Sequence, residues 1–449
     1  MPDLSLAMRY RQNNIEERKN PLVMYVDMNS FFASCEQQEL PELRGKVMGV
    51  VPFIGPNACT IAPSVEAKRV GIKTGMRMPE IKQLYAAFIP VSARPFIYRR
   101  YHVKIMEILG RYCDDIIPRS IDEAVMNLAS YALVYKDLPQ LARQIKADIR
   151  RELGEYIKCS IGIAPNAFLA KLATEIQKPD GLVQITTGNI DSYLKNMKLQ
   201  DLPGIASRNE RRLKLIGIND PYEMRHSSPA LLRKAFGGVV GNYWHSRLNF
   251  GEVDLYTSDY RTMSSMRSVS RQQRESKDAL ETLLVSICMK LETRMVKQRV
   301  FCKEASFFIK YLDGTGWDVH LRFAQPLQDG MELRDYIMKE MKAYMHAREL
   351  ANMFTNKTQS LGVGIMNFVR DNVMQYSLFD NRMQKDIVRK AVYNIKDRFG
   401  SKYVRKGSEM VVPDVLRDAI GFGSVKDLYD GPMAGDDSYF NQYLIEESN

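Results

Sequence analysis

Short continuous apolar runs, each closed by a polar residue, set the pattern of the first part of the chain. The run at residues 22–26 is typical of a strand buried on both faces, and it ends in Asp27. Apolar residues at helical spacing follow over residues 31–35, and Asn29 or Ser30 can cap the helix that they predict. Asp27 is therefore expected beside a helix N-terminus, where free backbone N–H groups attract phosphate.

A second strand end brings two more carboxylates. The apolar runs at residues 115–118 and 124–128 flank Asp122 and Glu123. Pro118 cannot donate to a central ladder, so the first of these strands is expected to end there and to leave both carboxylates at a hairpin tip. Like charges this close repel unless a cation lies between them. The competing interpretation is an ordinary solvated turn.

The rest of the pattern divides the chain into regions of different character. Short apolar runs broken by Pro and Gly fill residues 46–92, and regular α/β alternation follows over 93–185. Residues 186–255 are expected to be helical, and 264–370 form a second α/β region. The spacing predicts helices over 98–112, 141–149, 279–296, 385–399 and 415–428, and strands over 158–163, 305–312, 317–323 and 359–368.

Composition narrows the function classes. The 449 residues are 45% hydrophobic, enough for several packed domains, and the net charge of +11 favours a polyanionic partner, with nucleic acid as the first candidate. No long uncharged apolar span and no signal-peptide core are present, so we expect no membrane partner. Six dispersed cysteines indicate reduced thiols in a cytoplasmic protein, and five scattered histidines argue against a zinc site.

Asp27, Asp122 and Glu123 together form a set of hard oxygen donors. Such a set suits Mg²⁺ that bridges the phosphates of a substrate. The sequence therefore predicts magnesium as the cofactor.

Four ordered motifs carry a resemblance to a known family. They are residues 26–36 (VDMNSFFASCE), 66–75 (EAKRVGIKTG), 120–124 (SIDEA) and 160–181, the last with SIGIAPN, LAKLA and KPDG. In this order, over about residues 20 to 380, the chain resembles the Y-family translesion DNA polymerases, and its Asp-Met-Asn and Glu-Ala-Lys forms are most similar to the UmuC-like (ImpB/MucB/SamB) bacterial branch. Any one motif alone would be a weak signal.

The resemblance implies an α/β multidomain fold, a right-hand polymerase with a mixed-sheet palm, small fingers, a helical thumb with a helix-hairpin-helix, and an α/β little finger. The implied boundaries are an N-terminal arm at 1–20, the palm at 21–36 and 93–185, the fingers at 37–92, the thumb at 186–253, a linker at 254–263, the little finger at 264–374, a clamp-binding peptide at 375–380 and a C-terminal tail at 381–449.

The resemblance also implies the catalytic roles. Asp27 and Asp122 would bridge two Mg²⁺ ions, Glu123 would complete the primer-side ion, and the Met28 carbonyl would bind the nucleotide-side ion. Phe32 matches the steric gate that excludes ribonucleotides, with core packing as the alternative.

Nucleotide contacts follow from the same motifs. The backbone N–H groups of Phe31 and Phe32 would face the triphosphate, while the Phe31 ring is expected in the core. Lys68 and Lys178 would meet triphosphate oxygens, the alternative for each being a solvated surface lysine. The chain departs from the family pattern at three positions: Lys68 stands where arginine is common, Val65 where tyrosine is common and Ala62 where threonine is common. These departures put nucleotide affinity, more than the chemistry, in doubt.

Two basic groups are candidates for DNA contact. The Leu-Pro-Gly turn at Gly204, followed by Arg208, Arg211 and Arg212, resembles a helix-hairpin-helix whose free N–H groups bind a phosphate. In the little finger, which grips the duplex in the family, the candidates are Arg267 and Arg271. The alternatives are an ordinary helical turn and ordinary surface charge.

Residues 375–379 (QYSLF) resemble the short peptide by which bacterial polymerases hold the replication sliding clamp. Gln375 would anchor, and Leu378 and Phe379 would fill an apolar pocket. The alternative is a strand end that packs on its own domain.

The expected function is template-directed DNA synthesis by a two-metal-ion mechanism, in DNA damage tolerance and SOS mutagenesis. The expected partners are primer–template DNA, deoxynucleoside triphosphates and the sliding clamp, with room for an accessory mutagenesis subunit. Two alternatives stay open: a catalytically inactive, DNA-binding scaffold of a mutagenesis complex, and a nucleotide cyclase or other palm-type nucleotidyl transferase.

Overall fold

The computed structural model of the protein describes residues 20–255, 261–376, 381–399 and 404. These residues divide into two compact units, one up to residue 255 and the other from residue 261. Four expectations fall partly or wholly outside them: the N-terminal arm up to residue 19, linker residues 256–260, Leu378 with Phe379, and the helix over 415–428. No described helix is long and apolar enough to cross a membrane.

The first unit contains eight of the described strands. In chain order they are β1 (Val23–Met28), β2 (Met48–Val51), β3 (Ala62–Pro63), β4 (Ile89–Ser92), β5 (Ile116–Pro118), β6 (Glu123–Asn127), β7 (Cys159–Ala164) and β8 (Leu182–Gln184). Its helices are α1 (Phe31–Glu39), α2 (Val65–Arg69), α3 (Met78–Leu84), α4 (Pro95–Gly110), α5 (Leu138–Leu153), α6 (Ala167–Ile176), α7 (Ile190–Leu194), α8 (Ser207–Lys214), α9 (Pro221–His226), α10 (Pro229–Phe236) and α11 (Val240–Leu248), with 3-10 turns at Pro41–Leu43, Ala129–Tyr131 and Leu199–Asp201.

The central element is a mixed five-stranded sheet with the order β5-β6-β1-β7-β8. β1 lies in the middle, antiparallel to both β6 and β7, and β8 joins β7 in parallel. β5 ends at Pro118, as its missing N–H predicts, and the turn that follows leads directly into β6.

Both faces of β1 are buried, which explains its unbroken apolar run. Met24, Val26 and Met28 belong to one core, formed with α1, α4 and α5. Val23 and Tyr25 belong to the other, formed with α6 and the helices that follow it. Side chains alternate across a strand, so one six-residue segment connects two cores and is fixed in position by both.

The start of α1 differs from the expected capping. Ser30 occupies the N-cap position with φ +47°, but its side chain makes no capping hydrogen bond. Asn29 does not cap the helix either: its Nδ2 donates to Ser160 Oγ at 3.0 Å, and its Oδ1 accepts from the backbone N–H of Asp180 at 2.7 Å. Asn29 therefore connects β1 to β7 and to the segment before β8.

A three-stranded sheet, β3-β2-β4, stands apart with a small core of its own that includes Val51, Ile81 and Phe88. Gly49 in β2 lies so close to the Phe88 ring that a Cβ there would be 2.8 Å from it. This residue must stay a glycine for the sheet to close over its core.

Helices α7 to α11 pack on α6 around Trp244. The indole of Trp244 meets the Phe168 ring edge to face at 5.3 Å and stacks on Phe236 at 5.8 Å. Gly204 precedes α8 and has φ +93°, a conformation that favours glycine.

The second unit is a four-stranded antiparallel sheet backed by helices. Its strands are β9 (Thr262–Ser268), β10 (Val300–Tyr311), β11 (Gly316–Leu327) and β12 (Thr358–Arg370), in the order β11-β10-β12-β9. Its helices are α12 (Arg271–Arg274), α13 (Lys277–Lys297), α14 (Gly330–Ala347) and α15 (Arg382–Phe399), with a 3-10 turn at Asp371–Val373.

The strands of this unit extend beyond the apolar stretches that predicted them. β10 and β11 have 12 residues each: β10 begins five residues before its predicted start and β11 ends four residues after its predicted end, because the two strands still pair there, Cys302 with Leu327 and Glu304 with Arg322. β9 begins at Thr262, inside the range 254–263 that the sequence assigned to a linker, because Met263 is buried in the core of the unit. The apolar pattern predicts the part of a strand that packs on the core, whereas backbone hydrogen bonding to the neighbouring strands determines its full length.

Candidate active site

Three carboxylates meet at one end of the five-stranded sheet. Asp27 lies opposite Glu123 in the antiparallel register of β1 with β6. Asp122 is the turn residue just before β6, and its backbone carbonyl accepts a hydrogen bond from the Met28 N–H at 2.9 Å. Tyr25 Oη donates to Glu123 Oε2 at 3.0 Å. The hairpin tip is therefore bonded directly to the end of β1.

Two lysine ammonium groups lie among these carboxylates. Lys171 Nζ, from α6, contacts Asp27 Oδ2 and lies 2.6 Å from Glu123 Oε1 and 2.8 Å from Glu175 Oε1. Lys178 Nζ lies 3.0 Å from Asp27 Oδ1 and 2.9 Å from Glu175 Oε1. Asp27 is only 5% exposed, and each of its carboxylate oxygens pairs with a lysine, one with half-buried Lys171 and the other with exposed Lys178.

Burial and charge act against each other at this cluster. Burial raises the pKa of Asp122 to about 6, although a hydrogen bond from Ser120 favours the ionised form. Burial also raises the pKa of Asp27 in spite of its lysine neighbours. At Glu123 burial is outweighed by Lys171, and the pKa is lowered. Burial opposes the charge of Lys171, but Asp27 and Glu123 raise its pKa well above the usual range.

The donor set fits a divalent cation. Asp27, Asp122 and Glu123 supply hard carboxylate oxygens on one side of a cavity, and the pKa of Asp122 is raised as expected for a buried carboxylate without an ammonium partner. Within the described part of the chain, however, no three acidic, histidine or cysteine side chains are gathered as a ready-made metal site. The ammonium group of Lys171 contacts both Asp27 and Glu123, so a metal ion bound by these two carboxylates would have to displace it.

A cavity of about 630 Å³ opens beside the carboxylates. It contains the expected phosphate-binding groups, Lys68 and Lys178, together with the steric-gate candidate Phe32. The other lining residues are Asp27, Met28, Asn29, Ser30, Phe31, Ile61, Ala62, Pro63, Val65, Arg69, Thr74, Ser120, Ile121, Asp122, Glu123, Lys171, Glu175 and Pro179.

The two neighbouring phenylalanines have different surroundings. Phe31 is 3% exposed and belongs to the core below the sheet, as its sequence position led us to expect. Phe32 is half-buried, and its ring stacks on Tyr98 of α4 with centroids 4.1 Å apart and planes 9° apart. Phe32 can therefore present a ring to the cavity while Tyr98 fixes the plane of that ring.

Tyr98 is itself held by a buried ionic network. Its hydroxyl donates to Glu36 Oε1 at 2.7 Å and accepts from the Arg94 N–H at 3.1 Å. The Arg94 guanidinium forms a bidentate pair with the Glu36 carboxylate. Three donor atoms, Tyr98 Oη with Arg94 Nε and Nη2, bond to the buried Glu36 carboxylate, and this network gives Tyr98 a single orientation.

The cavity wall opposite the carboxylates comes from the segment around α2. Lys68 extends along it, where desolvation and then the charge of Lys178 lower the pKa of its ammonium group. Ala62 and Val65 line the same wall. Their apolar side chains offer phosphate no hydrogen-bond donor, whereas Lys68 and Arg69 of the same segment do.

The expected DNA- and clamp-binding residues lie outside this cavity. Arg208, Arg211 and Arg212 are exposed on α8, next to the turn at Gly204. In the second unit Arg267 is half-buried on β9, Arg271 is exposed on α12, and Gln375 is exposed after the last strand.

Sequence reasoning missed Lys171 with its partner Glu175, and it missed Tyr98 and Tyr25. Lys171 lies in a motif that we quoted but to which we gave no role, and its helical offset of four from Glu175 could have indicated a pair. Tyr98 begins the helix predicted over 98–112, and its contact with Phe32 spans 66 positions, which no local signal reports. Tyr25 gave no sign of its role for the same reason.

Comparison with known proteins identifies the family of this architecture. Residues 26–175 match the model of the impB/mucB/samB family, and residues 261–378 match the C-terminal domain of that family. A protein named DNA polymerase IV from Pelotomaculum thermopropionicum is 27% identical over 407 residues, which are 89% of this chain and 98% of that protein. A DNA polymerase IV from Bacteroides fragilis is 32% identical over 225 residues, covering 50% of this chain and 60% of that protein.

Solved structures share the fold. A chimera of the Y-family DNA polymerases Dbh and Dpo4 superposes with a TM-score of 0.64 at 21% identity, over 78% of this chain and 99% of that one. An insertion ternary complex of Dbh DNA polymerase gives a TM-score of 0.54 at 22% identity, over 78% of this chain and 99% of that one. The expected α/β multidomain polymerase fold is confirmed.

The position of Lys171 generates a prediction about cation binding. Replacing Lys171 with Met removes the ammonium group that competes for Asp27 and Glu123, so the protein should bind Mn²⁺, used as the probe, about tenfold or more tightly (~1.4 kcal/mol). Calorimetric titration of the folded variant measures this. Lys82→Met, at an exposed lysine outside the cavity, is the matched control. Unchanged or weaker Mn²⁺ binding in the Lys171 variant would show that the lysine does not compete with the ion.

Proposed function

The chain belongs to the impB/mucB/samB family of Y-family DNA polymerases, and we propose that it extends primers across damaged templates by a two-metal-ion mechanism. The observation that carries the proposal is the meeting of Asp27, Asp122 and Glu123 at the mouth of a lysine-lined cavity. The cavity is large enough for a nucleotide, and it combines cation-binding oxygens with anion-binding ammonium groups.

Magnesium is the proposed cofactor. Asp27 and Asp122 would hold both ions, Glu123 would complete the primer-side ion, and the Met28 carbonyl would serve the nucleotide-side ion. When bound, such ions lower the pKa of the attacking 3′-hydroxyl and stabilise the leaving pyrophosphate. The chain's own contribution is to hold the three carboxylates in place, through the β1–β6 ladder and the bond from the Met28 N–H to the Asp122 carbonyl.

The lysines have a proposed role toward the incoming deoxynucleoside triphosphate. Once a cation occupies the carboxylates, Lys178 loses its attraction to Asp27 and can turn to phosphate oxygens in the same cavity. Desolvation, and after it the charge of Lys178, lower the pKa of the Lys68 ammonium group, and a bound polyanion would relieve the repulsion between the two lysines. Because lysine offers point charges rather than a bidentate fork, this binding is less rigid than with arginine.

Sugar selection is assigned to Phe32. Its ring is fixed by stacking on Tyr98, and a rigid aromatic face against C2′ of the sugar would clash with a ribose hydroxyl. Rigidity matters here because a ring that could turn away would accept the larger sugar at little cost.

The domain roles follow the same proposal. The five-stranded sheet with its helices is the palm, the three-stranded sheet is the fingers, helices α7 to α11 form the thumb, and the second unit is the little finger. The exposed arginines of α8 and Arg267 and Arg271 would contact DNA phosphates, and binding should weaken with salt at a slope of roughly −0.9 per neutralised phosphate.

The proposed setting is DNA damage tolerance and SOS mutagenesis in the cytoplasm, with the sliding clamp as a partner and room for an accessory mutagenesis subunit. The six cysteines are free thiols, which suits a reducing compartment. The proposed clamp anchor, Gln375, is exposed at the end of the last described stretch before residue 381.

Asp122→Asn tests the catalytic assignment. The amide keeps the shape but removes the charge that would hold the ions, so primer extension should fall by roughly a thousandfold or more, several kcal/mol. Binding of primer–template DNA should persist. Single-turnover extension and fluorescence anisotropy measure the two quantities.

Asp114→Asn, at an exposed carboxylate outside the cavity, is the matched control and should extend primers normally. Wild-type extension by the Asp122 variant would make the assignment wrong. If the wild-type protein binds DNA but extends no primer, it is a scaffold; if it does neither, the polymerase proposal fails.

Phe32→Ala should raise incorporation of ribonucleotides relative to deoxynucleotides by roughly tenfold or more (~1.4 kcal/mol), since it removes the ring proposed to meet C2′. Competing insertion assays with paired rNTP and dNTP substrates measure the ratio. Phe53→Ala removes an exposed phenyl ring outside the cavity and should leave the ratio as it is. Equal discrimination in the Phe32 variant and the wild type would place the gate elsewhere.

Replacing Leu378 and Phe379 together with Ala should weaken binding to the sliding clamp by about 30-fold or more, because the two apolar anchors are removed. Extension of short primers without the clamp should stay intact. Calorimetry measures clamp affinity, and the pair Leu312→Ala with Leu350→Ala, at exposed leucines of the second unit, is the control. Undiminished clamp affinity would show that this peptide is not the tether.

A further inference from the structure

Helix α15 contacts its unit through charged side chains. Arg382 Nη2 lies 2.6 Å from Glu332 Oε1, Arg389 Nη2 lies 2.8 Å from Asp329 Oδ2, and Lys390 Nζ lies 2.8 Å from Asp371 Oδ2. Further contacts come from Asp386, which is buried and pairs with Arg389, and from Tyr393, whose hydroxyl is 3.0 Å from Thr293 Oγ1. The polar side of this helix is thus the side that faces the protein.

The apolar side of α15 faces solvent. A surface helix normally buries its apolar side and exposes its polar side, whereas α15 buries its charged side and exposes its apolar side. The large apolar side chains on the outer side are 41% to 62% exposed, and they are Met383, Ile387, Val388, Ile395 and Phe399. We call this set the outer face of α15. A contiguous exposed apolar strip of this kind marks an interaction surface.

The chain supplies an occupant of matching chemistry directly after the helix. Residues 409–420 contain the apolar run Met410, Val411 and Val412, and after Pro413 the pairs Val415 with Leu416 and Ala419 with Ile420 recur at the four-residue spacing of a helix face. Ten residues, 400–409, lie between Phe399 and Met410. Fully extended they reach about 36 Å, and α15 is about 27 Å long, so the segment can return along the whole helix.

Charge favours the same pairing. α15 carries six lysine and arginine residues against two aspartates. The chain from residue 407 to residue 449 carries nine acidic residues against two basic ones, in a protein whose net charge is +11. Lys385 and Arg398 are exposed beside the outer face and can meet Glu409, Asp414 and Asp418 of the returning segment.

We propose that residues 409–420 of this chain dock on the outer face of α15, with their apolar residues against it and their acidic residues toward the exposed basic side chains. The two parts are covalently joined by a short connection, so docking is intramolecular and has the advantage of a high effective concentration over any free partner. The segment covers apolar surface that would otherwise be exposed beside the proposed clamp-binding peptide.

Hydroxyl-radical footprinting of the full-length protein, read by mass spectrometry, tests this docking. Met383 on the outer face and Met266 on β9 are both 56% exposed, so Met266 is an internal standard. Since oxidation follows exposure, Met383 should react roughly threefold or more slowly than Met266 in the wild type. The pair Val415→Glu with Leu416→Glu should bring the two rates together.

Two further variants make the outcome specific. Leu444→Glu with Ile445→Glu adds the same charge to two apolar tail residues outside the segment and should leave Met383 protected. Ile387→Glu on the helix should speed the oxidation of Met410 in the tail, which reports the contact from its other side.

Four results would overturn the proposal. Oxidation of Met383 as fast as that of Met266 in the wild type would show that nothing covers the outer face of α15. Protection that grows with protein concentration would assign the outer face to a second copy of the chain. Protection that appears only when the sliding clamp is added would assign it to the clamp. Loss of protection in both tail variants would mean that general charge, not residues 409–420, controls access.

Discussion

The antiparallel pairing of β1 with β6 on one side and β7 on the other is the constraint on which the site depends. It places Asp27 opposite Glu123 and opposite Ser160 at the same level of the sheet. A slip of one residue would turn every side chain of β1 to the other face. Since both faces are buried in separate cores, such a slip would force Asp27 into one of them, and the packing that fills these cores therefore fixes the carboxylate as well.

Charge sets the second constraint. Three carboxylates at a buried strand end are costly unless cations accompany them, and Lys171 and Lys178 fulfil that requirement for Asp27. A divalent ion held by these carboxylates, as proposed, would compete with the ammonium groups of Lys171 and Lys178, and a displaced lysine would still line the same cavity. Because the freed cation remains beside the place proposed for the triphosphate, binding of the metal and binding of the nucleotide should support each other.

The sequence predicted the strands and helices that carry the carboxylates, because each depends on a local signal. The apolar run before Asp27, the proline that ends β5 and the spacing along α4 and α5 were each sufficient. Lys171 and Tyr98 could not be assigned in this way. Their roles depend on contacts with residues far away in the chain, and tertiary packing decides such contacts. The inverted orientation of α15 was equally hidden, since an amphipathic pattern shows that a helix has two faces but not which one is buried.

The proposed catalytic carboxylates and the proposed sugar gate are connected through α1. The helix begins four residues after Asp27 and carries Phe32 in its first turn and Glu36 in the next, on the same side. Glu36 fixes α1 to α4 through Arg94 and Tyr98, and Tyr98 in turn fixes the ring of Phe32. The distance between the carboxylates and the gate is therefore set by one turn of a helix held at both ends. A change that loosens the buried Glu36 network would disturb sugar selection through the tilt of Phe32, and it would disturb catalysis through the end of β1.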